Sequence, residues 1–210
     1  MTTPSKEFWE VFKKTNGALS SAESLAILNI AKQAPPNGLA CEFGVYNGKS
    51  AMSAMAAENF AEFHLIDTEF SKTISVNDVG NNIINAVPNH CRLAFIVGSS
   101  LDYLAGSEYK YSYVFVDSGD HQELPMKEVI ALQDRVIQGG IIAFHDWNSQ
   151  FLQVMDAYAY LIGTGKYEVV QIDWDEINNY IDENNIEEGN ISWHHNELKN
   201  PNFVGALRRK

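Results

Sequence analysis

The chain opens with two stretches of helical period. "FWEVFKK", from Phe8 to Lys14, predicts a short amphipathic helix. In "SSAESLAILNIAKQA" Ser20 and Glu23 fit a capping box, and Leu25, Leu28 and their neighbours form an apolar face. "PPNG", Pro35 to Gly38, marks a stop and a turn. Beyond it the pattern changes to short apolar runs that alternate with helical segments. "GLACEFGV", "EFHLID", "CRLAFIVGS", "YSYVFVD" and "GGIIAFHD" predict five strands. Between them lie "GKSAMSAMAAENF", "VGNNIINAV" and "QELPMKEVIALQDRVI" as helices, with "SQFLQVMDAYAYLIG" following the fifth strand. Such alternation implies a parallel sheet covered by helices on both faces, and the nearly all-apolar fourth and fifth strands suit burial on both sides.

The chain ends differently. "YEVVQIDW" and "NFVGALRRK" read as two more strands with no convincing crossover helix between them, so the last strand is expected to run antiparallel. The acidic, Asn-rich stretch from Asp173 to Asn200 is expected to be a long loop or a loop with a short helix. The fold class is therefore α/β: a seven-stranded, doubly wound, mostly parallel, Rossmann-like sheet with an antiparallel last strand. Residues 1–37 form an N-terminal helical extension and residues 38–210 the main domain.

Composition narrows the function classes. A length of 210 residues suits one domain with a sizeable core, and 45% hydrophobic with 20% charged residues is an ordinary globular profile. The net charge of -12 argues against nucleic acid as a partner, because a phosphate-binding face needs surplus Lys and Arg. No apolar run approaches the roughly 20 residues that span a bilayer, and the N-terminus lacks the apolar core of a signal peptide. Cys41 and Cys91 are too few for a disulfide framework, so the expected location is the reducing cytoplasm. His194 and His195 are expected in a solvated loop. Trp9 is expected to pack, and the N-terminal apolar helices are a candidate homo-oligomer interface.

The chemistry is expected at the carboxyl ends of the strands, near the point where strand order reverses. After the first strand comes "EFGVYNG", in which Glu42, Gly44 and Gly48 make E-x-G-x-x-x-G. The glycines permit a close backbone approach to a ligand, or simply a tight turn. Glu42 occupies the place of a first glycine, repels a pyrophosphate and suits a ligand with a cationic part. Asp67 follows the second strand, nineteen positions past Gly48, where a carboxylate can accept bonds from ribose hydroxyls. Gly98, Ser99 and Ser100 follow the third strand and can border an adenine. The fourth strand ends in "VFVDSGDHQE". Asp117, Asp120 and His121 there fit a polar turn, half of a metal site, or an acid/base pair.

Together "ACEFGVYNGKSA", "HLID", "VGSSLDYL", "YVFVDSGDH" and "VIQGGIIAFHDW" resemble the class I S-adenosylmethionine-dependent methyltransferases. They are most similar to the branch of macrocin O-methyltransferase-like and cephalosporin-hydroxylase-like proteins. The resemblance covers Gly38 to Trp147. It implies S-adenosylmethionine as cofactor, with Gly44 and Gly48 lining its methionine end, Glu42 near its ammonium, Asp67 on the ribose hydroxyls, and Ser99 and Ser100 near the adenine. Tyr46, Ser50 and Asp117 are further implied cofactor contacts. Relatives bind a divalent cation, with magnesium the expected ion, through acidic residues after the fourth and fifth strands; the matching positions are Asp117, His145 and Asp146.

A cation held by carboxylates can orient a diol and lower the pKa of its hydroxyl, and a neighbouring carboxylate or imidazole can take the proton. Asp120, His121 and His145 are the candidate catalytic bases. Asp117 and Asp146 end adjacent strands, about 4.8 Å apart, so their carboxylates can share an ion. Two departures stand out. Residues Asp117 to His121 carry one residue more than the family's D-G-D-H turn. The pair after the fifth strand is His-Asp, and imidazole is a poor magnesium ligand. The expected activity is O-methylation of a small-molecule hydroxyl, with a sugar as one candidate acceptor. Rival readings are a non-catalytic scaffold of the same fold and a nicotinamide-dependent oxidoreductase, which Glu42 and the terminal strand pair disfavour.

Overall fold

The computed structural model describes residues 3–70, 72–89, 91–119, 123–147, 151–187 and 204–210. The chain begins with α1 (Lys6–Lys14), capped by the Ser5 hydroxyl, which accepts from Phe8 N at 3.2 Å. Its Phe8, Trp9 and Phe12 pack ring against ring inside the core, and each contributes roughly 2 kcal/mol by burial. The predicted capping box is present at α2 (Ser21–Lys32): Glu23 N donates to Ser20 Oγ, and Glu23 Oε2 accepts from Ser20 N at 2.8 Å. Ten of the twelve α2 residues are buried. The helix is therefore enclosed nearly all round, not on one face as its sequence pattern suggests.

Strands and helices then alternate: β1 (Gly38–Phe43), α3 (Lys49–Met55), β2 (Phe60–Asp67), α4 (Val76–Ala86), β3 (Arg92–Val97), α5 (Ser100–Ala105), β4 (Tyr111–Val116), α6 (Leu124–Leu132), β5 (Val136–Phe144) and α7 (Leu152–Gly163). The chain finishes with β6 (Tyr167–Val169), α8 (Trp174–Glu183) and β7 (Gly205–Arg209). Among the described residues these form one seven-stranded sheet in the order β3-β2-β1-β4-β5-β7-β6. β7 runs antiparallel to both neighbours, and the other pairings are parallel.

Period-two alternation sorts the strand side chains into two cores. Ala40, Phe63, Leu65, Tyr113, Phe115, Ile141 and Ala143 face the layer built by α1, α2, α3, α4 and α8. Cys41, Phe43, Ile66, Val114, Val116, Ile142 and Phe144 face α5, α6 and α7. The N-terminal helices belong to the first core: α2 packs on α3, α8 and β5. No described helix is long and apolar enough to cross a membrane.

Two elements differ from the sequence pattern, and a third takes one of its two expected forms. The α6 helix ends at Leu132, and Val136 already pairs with Tyr111 on β4. Its β-branched residues join the sheet, and the register shift before Ile141 is absorbed at Gly139, with φ +78°, and Gly140. The short α5 carries no long periodic signal and is started by Ser99, whose hydroxyl accepts from Asp102 N at 3.1 Å. The acidic stretch contains a ten-residue helix, α8, capped by Asp173, which accepts from Glu176 N at 2.9 Å. β7 nevertheless returns between β5 and β6.

Strand order reverses between β1 and β4, and their ends meet at Gly44. A Cβ on Gly44 would lie 2.0 Å from the Asp117 carbonyl oxygen, and its φ is +80°. The mutation Gly44→Ala is expected to cost at least about 2 kcal/mol, read as a lowered urea midpoint, because neither backbone can yield.

Candidate active site

The backbone ladder carries past the strand ends and sets the site's geometry. Asp117 N donates to Phe43 O at 2.8 Å, His145 N to Val116 O at 3.2 Å, and Gly44 N to Ile66 O at 3.0 Å. These bonds align the ends of β2, β1, β4 and β5 along one edge. The loop after β1 turns through Gly44, Tyr46 and Gly48, all at positive φ, and Gly48 starts α3. Tyr46 holds a strained left-handed backbone, and the residue is 54% exposed.

Asp67 organises this loop. Its Oδ2 accepts from Val45 N at 2.8 Å and Tyr46 N at 2.9 Å, and its Oδ1 from Glu69 N at 2.7 Å. Three of its roughly four acceptor positions are thus filled, and one remains for a ligand hydroxyl. Glu42 lies fully buried beneath the loop and accepts from the Ser50 hydroxyl. Its other oxygen, Oε2, has no hydrogen-bond partner. Burial pushes its carboxyl well above the usual range; Ser50 opposes this, and the Asp117 and Asp67 charges add to it. Ser99 is used as the α5 cap, and the Ser100 hydroxyl donates to Glu128.

Asp117, His145 and Asp146 come together as expected, with one ligand atom from each inside a 4.8 Å cluster. His145 Nδ1 stands 3.3 Å from Asp117 Oδ1 and 3.5 Å from Asp146 Oδ1. Asp146 adopts φ 55°, the strained backbone that turns its carboxylate toward the ring. The ring is 6% exposed. Burial pulls its pKa down, but the carboxylates of Asp117, Glu23 and Asp146 outweigh that and hold it well above the usual value. A cleft lined by Val116, Asp117, Ser118, Gly119, Pro125, His145, Asp146 and Val154 opens beside this cluster. Asp120, His121, His194 and His195 lie outside the described residues.

Two site carboxyls escaped the sequence reading. Glu23 of α2 reaches across to His145, with Oε1 3.5 Å from Nε2. It read only as a cap, because nothing local tells where α2 will pack. Glu128 of α6 is fully buried. Burial raises its pKa to about 7, with the Ser100 and Ser118 hydroxyls opposing and Asp117 adding. A signal for it existed: Glu128 lies on the stripe Pro125, Glu128, Val129, Leu132, whose i, i+3, i+4, i+7 spacing marks a buried face.

The edge is acidic. Lys49, next to Gly48, turns away: its Nζ lies 4.3 Å from the Phe12 ring centroid and 3.4 Å from Leu19 O. Carboxylates at strand ends, a glycine turn and an open acceptor on Asp67 suit a ligand combining a diol with a cationic centre, and repel a polyphosphate. The fold and site therefore define a cofactor-binding α/β protein with its site at the sheet's switch point. The methyltransferase-domain family matches residues 41–147, and the chain belongs to that family. Family membership supports S-adenosylmethionine as its cofactor.

Solved structures share the fold at low identity. An rRNA methylase from Streptococcus thermophilus is 11% identical, with a TM-score of 0.58 over 89% of this chain and 93% of that one. The relative in complex with SAH is a Streptococcus mutans protein taken to be a methyltransferase; it is 9% identical, with a TM-score of 0.56 over 89% and 96%. The TDP-rhamnose 3'-O-methyltransferase of calicheamicin biosynthesis is 15% identical, with a TM-score of 0.55 over 90% and 77%. No curated protein sequence matches the chain.

The raised Glu128 value has a consequence for stability. The folded chain keeps this proton between the ordinary 4.5 and about 7, so the contribution is full below pH 4.5 and is lost as pH rises through 7. Replacement by an isosteric amide, Glu128→Gln, is expected to gain on the native protein by about 1–3 kcal/mol across that window. Urea midpoints measured at several pH values check this; a difference that does not change with pH refutes it.

Proposed function

We propose that the chain is an S-adenosylmethionine-dependent O-methyltransferase acting on a small-molecule hydroxyl, with a sugar hydroxyl as the favoured acceptor class. The carrying observation is the convergence of Asp117, His145 and Asp146 at the ends of adjacent strands, beside the glycine loop. In the transfer, the methyl–sulfonium bond breaks as the acceptor oxygen–methyl bond forms, and the acceptor proton passes to this cluster. The remaining acceptor position of Asp67 takes a ribose hydroxyl of the cofactor at the switch point, and Gly44 lets β1 and β4 close beneath it.

The same three residues fit a divalent cation. Their mutual distances of 3.3 and 3.5 Å are those of neighbouring ligands around one ion. Asp117, His145 and Asp146 would hold it, and it would supply charge that lowers the pKa of an acceptor hydroxyl and orients a diol. The imidazole tilts the donor set toward a borderline dication such as manganese or zinc, with magnesium on the two carboxylates as the hard-ion alternative. Asp117 and Asp146 also anchor the imidazole, so the cluster keeps the acceptor's side of the cleft polar next to Val116 and Val154.

Titration calorimetry with S-adenosylhomocysteine is expected to show binding in the micromolar range. The variant Asp146→Ala is expected to keep that affinity within about threefold and to lose at least a hundredfold in methyl transfer from labelled cofactor to a panel of sugars and phenols. Absence of binding at millimolar ligand would overturn the cofactor reading. Full activity of the variant with chelator present would overturn the assignment of the cluster.

A further inference from the structure

Glu23 is doing two things at once. Its Oε2 takes both the N–H and the hydroxyl of Ser20, at 2.8 and 2.7 Å, which closes the capping box. A box needs only one oxygen. Oε1 is left with no hydrogen bond in a fully buried side chain, and it points at His145 Nε2 from 3.5 Å. A buried carboxylate oxygen is costly unless a positive or donating group faces it. His145 is that group. Its opposite nitrogen, Nδ1, faces Asp117 and Asp146.

From this geometry we infer that Glu23 is a positioning residue: its carboxylate, locked by Ser20 at the start of α2, fixes the ring of His145 so that Nδ1 faces Asp117 and Asp146. The inference rests on the proposed role of that cluster. It extends the catalytic unit into the N-terminal helices, beyond residues 41–147 matched by the family. The arrangement follows the general rule that a working imidazole is oriented by a carboxylate on its far nitrogen. Here the orienting group comes from a helix whose own end it caps, so a shift of α2 would turn the ring.

The test separates the ring from the cap. The variant Glu23→Gln keeps an oxygen for Ser20 but removes the charge facing His145. Ser20→Ala removes the cap hydroxyl and leaves the carboxylate. Proton NMR of the histidine rings is read at low temperature, with the His145 signal identified by its loss in His145→Asn. The native protein is expected to show a downfield, slowly exchanging Nε2 proton. It is expected to exchange at least about tenfold faster in Glu23→Gln and within twofold of native in Ser20→Ala. Manganese titration of the same proteins is expected to weaken about 10–100-fold in Glu23→Gln only.

An unchanged His145 ring signal in Glu23→Gln overturns the inference, and so does an equal change in Ser20→Ala, which would mark a cap and nothing more. Failure of the native protein to bind manganese would count against the cation reading of the cluster, while the ring signal still decides the role of Glu23.

Discussion

The site depends on compensating negative charge that the fold has withdrawn from water. Glu23, Glu42 and Glu128 are fully buried, and Asp117 and Asp146 are largely so, along one edge of the sheet. Three devices manage these acids together with the buried Asp67. Asp67 is bonded to three backbone amides. Glu42 and Glu128 are pushed toward their neutral forms and bonded by serines. Glu23, Asp117 and Asp146 surround a single imidazole. Their charges raise the pKa of the ring, and the ring in turn lies between them. A buried ion cluster of this kind is a weak source of net stability, because desolvation consumes most of the attraction. Its position at the switch-point edge of the sheet marks it as a candidate functional site.

The same constraint links the two ends of the chain to the middle. Strand order reverses between β1 and β4, where Gly44 packs tightly against the Asp117 backbone. The loop after β1 is held open by Asp67 from β2, and the roof over β5 is the start of α2. The hydrogen-bond ladder runs a residue beyond the strands, which gives the carboxylates the rigidity of the sheet and not the freedom of loops. Solved structures of 9–15% identity share this frame as a fold.

Much of this was legible before any coordinates. Alternating apolar runs specify a doubly wound sheet because strands buried on both faces are mostly apolar. The capping box at Ser20–Glu23 is a local pattern and formed as read. The turn residues Gly44 and Gly48 and the position of Asp67 follow from reading what comes after each strand, and the grouping of Asp117 with His145 and Asp146 follows from the family resemblance. The boundary of α6 was misplaced because Val136 and Ile137 continue a helical pattern, while pairing with Tyr111 draws them into the sheet. Glu128 was visible as a charge on an apolar stripe. Glu23 was visible only as a cap.

What the sequence by itself determined is therefore the order of elements, the glycine turn and the strand-end carboxylates, since each depends on neighbours a few residues apart. Tertiary structure alone decided which buried acids face one another. Glu23 and His145 are 122 positions apart in the chain and meet only because α2 packs across β5. Their protonation follows from that packing, because burial and charge at 3–4 Å act through space and carry no signature along the chain.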